Sequence, residues 1–142
     1  MINQNLIYFP CLAMLILSAG ILIKMFVGRL NAVKSGEVDI KYFKTYNQGT
    51  PPHKMLQADK NFSNLFEVPT LFYMVCLFTL ATFKVDHLML GLAWLYVFCR
   101  YVHSFVHVTS NKIIPRMMSY GMSWLVLLAM AIKLAVDLWP SK

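Results

Sequence analysis

A base, an amide and an acid lie at helical spacing where the second apolar stretch of the chain begins. Lys60, Asn64 and Glu67 stand at positions i, i+4 and i+7, which places them on one face of a helix. Glu67 is followed by a long apolar run, and a charge inside a membrane helix costs about 2.5–3.5 kcal/mol on insertion scales. We therefore expect Glu67 to meet a cation or a hydrogen-bond donor, or to carry a proton.

A second stripe, which is mainly basic, lies at the end of the third apolar stretch. Arg100, His103 and His107 are spaced i, i+3 and i+7, and Arg116 and Tyr120 follow at the start of the fourth stretch. If the stretches are helices joined by short links, this stripe reaches the same depth as the first one. More cations than acids converge there, which favours an anionic ligand.

Two other interpretations of these residues are open. Glu67 and Arg100 can form a buried ion pair that only fixes the register of the helices, with His103 as a hydrogen-bonded histidine of the bundle. His103 and His107, four residues apart, can also ligate a metal together with Glu67. The metal interpretation is disfavoured because there is no HExxH pattern and because Arg100 and Arg116 would repel a cation. We therefore predict an anion site without a metal.

The elements that position these residues are predicted to be membrane helices. Of the 142 residues, 58% are apolar and only 13% are charged, whereas a soluble domain has about one quarter charged. With so few charges the chain cannot coat a soluble fold, so its composition favours the bilayer as solvent. Four runs each approach the ~20 residues that cross the hydrocarbon as a helix. We predict helices over about 6–28, 61–83, 88–109 and 116–138, within a single domain that covers 1–142.

Short connections between the last three runs predict an antiparallel, all-α bundle of four transmembrane helices. Basic residues mark the cytoplasmic side of a membrane protein. The first loop and the third link carry Arg29, Lys34, Lys41, Lys44, Lys54, Lys60, Lys112 and Arg116, whereas the opposite side has Lys84 and Lys142. We therefore expect a multi-pass protein with both termini away from the cytoplasm. This topology accounts for the net charge of +7, so nucleic acid is not an expected partner.

The three cysteines are predicted to be structural. Cys11, Cys76 and Cys99 each fall inside an apolar run, and no two of them have a CxxC spacing. A cysteine in such a setting usually behaves as a small buried hydrophobic residue. The sequence therefore gives no reason to expect an oxidising compartment or a cysteine-bound metal.

The two polar stripes together resemble the motifs of a known membrane family. Asn64 and Glu67 form an Asn-x-x-Glu motif ahead of a long apolar run. Arg100 and His103 form an Arg-x-x-His motif, and Arg116 follows Arg100 by sixteen residues. In this combination the chain resembles the family of membrane-associated proteins in eicosanoid and glutathione metabolism (MAPEG). The resemblance covers nearly the whole chain, with four spans and a long first loop.

The resemblance implies a homotrimer that binds glutathione, as a cosubstrate, between neighbouring subunits near the cytoplasmic face. It implies that Asn64 and Glu67 hold the γ-glutamyl end, where the amine lies. It also implies that Arg116 stabilises the thiolate, which is the nucleophilic form of a thiol. The other glutathione contacts that the resemblance implies are Arg29, Lys60, Arg100, His103, His107 and Tyr120.

Three positions depart from the prostaglandin-synthase branch of this family. Ser63, His107 and Met117 stand where that branch has Arg, Tyr and Ser. The chain is therefore more similar to a bacterial member, which implies a place in the bacterial inner membrane, in contact with membrane lipid. The implied function is that of a glutathione-dependent transferase or peroxidase that acts on lipophilic electrophiles. The alternatives are a non-catalytic trimeric binding or scaffold protein of the same fold, and a small transporter, which the lack of an inverted repeat disfavours.

Overall fold

The computed structural model describes residues 2–46 and 50–140, and Lys142, assigned above to the far side of the membrane, lies outside the described residues. A short 3-10 helix, Gln4–Ile7, leads into α1, Tyr8–Lys34, and a four-residue helix α2, Tyr42–Thr45, follows in the first loop. The remaining three helices are long: α3, His53–Ala81; α4, His87–Val108; and α5, Ile113–Leu138.

Four of these helices are long and apolar enough to cross a membrane: α1 together with its 3-10 turn, α3, α4 and α5. The predicted all-α bundle of four transmembrane helices is therefore confirmed. The connections 82–86 and 109–112 are short, so α4 runs antiparallel to both α3 and α5. We call the end at which α3 and α5 begin the loop end, and the end that carries the connection 82–86 the turn end.

The first loop is shorter than the sequence predicts, because both flanking helices continue past their apolar parts. α1 runs to Lys34 rather than to about 28, and α3 begins at His53 rather than at about 61. Pro52 is the N-cap of α3, and its carbonyl accepts the N–H of Met55 at 3.0 Å. Hydropathy marks the part of a helix that lies in hydrocarbon, whereas the backbone hydrogen bonds that define the helix continue into the polar region.

The bundle packs as two close helix pairs, α4 on α5 and α1 on α3. Phe72 of α3 and Tyr96 of α4 are fully buried where the pairs meet, and their rings stack with centroids 4.3 Å apart and planes 8° apart. Side chains such as Leu15, Phe98 and Leu125 point outward and are more than half exposed, as suits helices whose outer faces contact lipid. The core therefore fixes α3, α4 and α5 relative to one another, and these are the helices that carry the two polar stripes.

A charged cluster fastens the start of α4 to the end of α5 at the turn end. Asp86 is the N-cap of α4, and one of its oxygens accepts the N–H of Met89 at 2.7 Å. Its other oxygen lies 2.8 Å from the ammonium of Lys133, which is also 2.6 Å from Asp137. Partial burial raises the pKa of Asp86, but the hydrogen bonds from Lys133 and Met89 and the charge of Lys133 lower the pKa by more, so it lies below its usual value.

Substitutions of Asp86 should separate the ion pair from the helix cap. Asp86→Asn keeps an oxygen for the cap and should lower the free energy of unfolding in micelles by about 0.5 kcal/mol, since exposed ion pairs are weak. Asp86→Ala also removes the cap and should cost about 1 kcal/mol more. Because the folded-state pKa is depressed, the ion pair stabilises the protein at pH above the unfolded pKa of about 4 and is lost as pH falls through the folded value. Thermal unfolding across pH tests this, and a wild-type advantage over Asp86→Asn that persists unchanged to pH 3 would contradict it.

Candidate functional site

A cleft of about 750 Å³ opens at the loop end, between the first turns of α3, the last turns of α4 and the start of α5. Seven of the nine residues predicted as site residues line it. These seven are Lys60, Asn64, Glu67, His103, His107, Arg116 and Tyr120. The two stripes that the sequence separates by about forty residues therefore face one volume, because α3 and α4 are antiparallel and their polar ends meet at the same depth.

The polar face of α3 begins earlier than the sequence interpretation placed it. Gln57 and His53 line the cleft one and two turns before Lys60, and they continue the spacing of three or four residues that runs through Lys60 to Glu67. The side-chain amide of Gln57 donates to the backbone carbonyl of His107, which ties the start of α3 to the end of α4. The prediction missed His53 and Gln57 because it began the helix at about 61. The same periodicity, carried back to Pro52, would have found both.

The two histidines of α4 are buried in the cleft wall, with ring centroids 5.6 Å apart. Nδ1 of His103 lies 3.0 Å from the backbone carbonyl of Arg116. A carbonyl only accepts, so Nδ1 carries the proton and Nε2 of the neutral ring is left as an acceptor. Nε2 of His103 and Nδ1 of His107 are both buried without a hydrogen-bond partner within the described chain. Buried polar atoms are normally satisfied, so these two nitrogens point to a ligand or to water in the cleft.

Arg116 is held in the cleft by the link that joins α4 to α5. Asn111 has a positive φ of 49°, which asparagine tolerates better than most residues, and its N–H donates to the carbonyl of Val106 at 2.8 Å. In this conformation its side-chain oxygen accepts from the guanidinium of Arg116 at 2.6 Å. Asn111 and Arg116 both line the cleft. The link therefore fixes the direction of a cation that is only half-buried.

Arg100 was predicted to contact the ligand, but it lies behind the cleft wall instead of in it. Its side chain is fully buried, and its guanidinium donates to the backbone carbonyl of Asn64 at 2.8 Å and lies over the ring of Tyr120, 5.4 Å from the centroid. It forms no ion pair with Glu67 in the part of the chain that the structure describes, so the register-fixing pair considered above is not formed. The two side chains do not pair because they point in different directions. Arg100 points into the bundle towards the backbone of α3, whereas Glu67 points out into the cleft.

Arg29 also lies outside the cleft lining, although its partner is part of that lining. Its Nε donates to Asp59 at 3.1 Å, and its guanidinium lies 5.5 Å from the ring centroid of Phe43 and 5.8 Å from that of Tyr46. The extension of α3 to His53 brings Asp59 opposite α1, which the shorter predicted helix did not allow. Arg29 therefore neutralises one acid of the cleft wall rather than facing the ligand directly.

When Asp59 is counted as neutralised by Arg29, the cleft lining has more positive than negative charges. Lys60 and Arg116 are the lysine and the arginine of the lining. Glu67 is its one acid without an ion pair among the described residues. The described residues also contain no group of three or more His, Cys, Asp or Glu side chains placed to hold a metal. The lining thus offers two cations, one anion and two open imidazole nitrogens, which can hold a small molecule that has more acidic than basic groups.

A family model described as the MAPEG family matches residues 7–136 of the chain. That range includes two of the membrane-spanning helices in full, nearly all of the first and the last, and every residue of the cleft lining. No curated protein and no solved structure gives a significant match.

Proposed function

The chain belongs to the MAPEG family, and we propose that it is a glutathione-dependent transferase or peroxidase acting on lipophilic electrophiles within the membrane. Family membership supports glutathione-related chemistry at an integral membrane protein in general. The observation that carries the specific proposal is the single cleft in which α3, α4 and α5 gather an acid, two cations and two histidines. Its volume of about 750 Å³ lies within the usual range of small-molecule sites.

Glutathione fits the charges of this cleft. At neutral pH the tripeptide has two carboxylates and one ammonium group, and the cleft offers two cations and one unpaired acid. Glu67, supported by the neighbouring amide of Asn64, would receive the ammonium group of the γ-glutamyl end. Lys60, two turns from Glu67 towards the loop end, would receive a carboxylate. Charge-assisted contacts of this kind give about 1.5–3 kcal/mol each, which is enough to orient a flexible tripeptide.

The same charges would activate the thiol. Arg116, fixed by Asn111, would lie beside the sulfur and stabilise the thiolate, which is the nucleophile. Nε2 of His103 is an acceptor in the cleft wall and would take a hydrogen bond from the thiol or from an amide of the tripeptide. The two residues are coupled, because the imidazole of His103 is oriented by the backbone carbonyl of Arg116.

The second substrate would enter from the lipid side of the cleft. Ile113 and Met117 line the cleft on α5, yet 68% and 65% of their surfaces are exposed. In a bilayer such apolar side chains contact acyl chains, so they form an entrance for a molecule dissolved in the membrane. Met117 replaces the serine of the prostaglandin-synthase branch, and a thioether suits varied apolar substrates better than a directed hydroxyl does.

We propose that the cleft lies on the cytoplasmic side of the membrane. We also propose that three copies of the chain form a homotrimer with one glutathione site between each pair of neighbouring subunits. The loop end carries most of the basic residues, which supports the orientation with both termini on the other side of the membrane, and we propose the bacterial inner membrane. Glu67 is exposed on the single chain although it lines the cleft, which supports closure of the site by a neighbouring copy.

The test is an assay of the purified protein in nanodiscs with glutathione and a chromogenic, lipophilic electrophile. We expect saturable turnover in both substrates, together with calorimetric binding of glutathione that weakens when its carboxylates are esterified. Binding without turnover, across several electrophiles and a lipophilic hydroperoxide, would overturn the enzymatic proposal in favour of a binding or scaffold protein. Ion-coupled uptake into liposomes without turnover would identify a transporter instead.

A further inference from the structure

Two cysteines on different helices meet towards the turn end of the bundle, away from the cleft. Cys11 lies in the first turn of α1 and packs against the core cluster that contains Cys76, near the end of α3. The two side chains are neighbours. Both thiols are free. Cys76 follows Glu67 by nine residues, which is about 14 Å along α3 at 1.5 Å per residue. The thiol pair is therefore separate from the proposed glutathione site.

The two thiols differ in their access from the surroundings. Cys11 lines a cavity of about 230 Å³ between α1 and α3, whose walls include Leu15, Phe66 and Tyr73. Leu15 and Phe66 are about 60% exposed, so the cavity opens on the face that contacts lipid. Cys76 is only 2% exposed and packs within the core, with the thiol of Cys11 beside it. A small lipophilic molecule from the bilayer would reach Cys11 first.

We propose that Cys11 and Cys76 are a redox-active dithiol that reduces lipophilic organic hydroperoxides and thereby forms a disulfide between α1 and α3. The Cys11 sulfur attacks the terminal oxygen of the hydroperoxide, the O–O bond breaks, and the alcohol leaves with the thiol proton, which leaves a sulfenic acid on Cys11. The Cys76 sulfur then attacks the Cys11 sulfur, the S–O bond breaks, and water leaves with the second thiol proton. The two thiols lose two electrons in total and the hydroperoxide gains them.

The contact between the thiols is what makes the second step available. A disulfide requires β-carbons about 3.5–4.5 Å apart, and two side chains that are already neighbours between α1 and α3 need only a local movement to meet. Cys99, on α4, is the natural internal control, because it is buried and lines none of the cavities described here. A sulfenic acid on an isolated cysteine would persist or be oxidised further, whereas one beside Cys76 is resolved within the same chain.

The experiment uses the full chain, reduced in micelles, freed of reductant and treated with cumene hydroperoxide. After denaturation and alkylation we expect the count of alkylated thiols to fall from three to one, and peptide mass spectrometry to find Cys11 linked to Cys76. Three remaining thiols, a link that includes Cys99, or a disulfide between two chains would each overturn the proposal. The peptide map of the wild type decides this even if a cysteine variant fails to fold.

Single substitutions test the order of the two steps. Cys76→Ser should leave a sulfenic acid on Cys11 that dimedone labels, whereas Cys11→Ser should give neither label nor disulfide, and equal labelling of Cys76 in Cys11→Ser would contradict the order. Cys99→Ser should still form the disulfide, with its count falling from two to none. Arg116→Ala should also still form it, because the thiol pair needs no glutathione, so failure of the glutathione proposal and failure of this one are distinguishable.

Discussion

Arg116→Ala should lower kcat/KM for glutathione conjugation by about 100-fold or more, which is the usual effect of removing one charge-stabilising donor from a catalytic site. The guanidinium of Arg116 is held in one orientation in the cleft, because it donates a hydrogen bond to the side-chain oxygen of Asn111 at 2.6 Å. Without it the sulfur would lose the neighbouring charge that favours the thiolate. The fold should survive, because His103 contacts the backbone carbonyl of Arg116, which alanine retains. Initial rates in nanodiscs at several glutathione concentrations measure the loss.

Two further substitutions separate charge from geometry at this position. Arg116→Lys keeps a cation but loses the planar fork that Asn111 orients, so it should recover only part of the rate. Lys112→Ala removes a cation four residues earlier, outside the cleft lining, and should leave the rate nearly unchanged. The ultraviolet absorbance of bound thiolate should be present in the wild type and lost in Arg116→Ala. If Arg116→Ala kept full turnover and full thiolate absorbance, Arg116 would not be the group that activates the sulfur.

The meeting of the two polar stripes was predictable, since it depends only on helical periodicity and antiparallel connection. Asn64 and Glu67 lie about three to four turns from the start of α3, and His103 and His107 lie within two turns of the end of α4. Because short links make neighbouring helices antiparallel, the start of α3 and the end of α4 must lie at the same end of the bundle, and their residues are at similar depth. The membrane strengthens this inference, because each polar side chain within it must find a polar neighbour.

The direction of each long side chain was not predictable in the same way. Arg100 belongs to the basic stripe by spacing, yet it turns inward to the backbone of Asn64 and acts as a positioning residue for α3. Arg29 was expected at the site, but it pairs with Asp59, a contact that exists only because α3 continues past the hydrocarbon to His53. Spacing gives the face on which a residue lies. It does not tell whether a long cation turns towards the ligand or towards the core.

The pairing of Cys11 with Cys76 was hidden for a related reason. Each cysteine alone is a small residue in an apolar run, and the sequence contains no signal for which residues of α1 and α3 face each other. Helix–helix register in a membrane follows from close packing of small residues, which many alignments of two apolar helices satisfy about equally. Contacts across that interface therefore become visible only in three dimensions.

Glu67→Gln should raise the KM and the Kd for glutathione by about 10- to 100-fold, while kcat at saturating glutathione changes little. The estimate follows from the loss of one charge-assisted hydrogen bond to the ammonium group, about 1.5–3 kcal/mol. Because that contact is present in the ground state and the transition state alike, its removal weakens binding without slowing the chemical step. Calorimetry and steady-state kinetics on the same preparations measure both quantities.

A glutathione analogue that lacks the α-amine completes this test. It should bind the wild type and Glu67→Gln about equally, since the group that Glu67 recognises is gone. The loss of affinity from removing the amine and the loss from Glu67→Gln should therefore not add. Glu37→Gln, which removes an acid of the first loop that contacts Ser35 and lies outside the cleft, should leave both affinities unchanged. If Glu67→Gln weakened the analogue as strongly as glutathione itself, Glu67 would act on the shape of the cleft rather than on the amine. The orientation proposed here, with the γ-glutamyl end on α3 and the sulfur beside Arg116, would then be wrong, although Arg116 could still be tested independently.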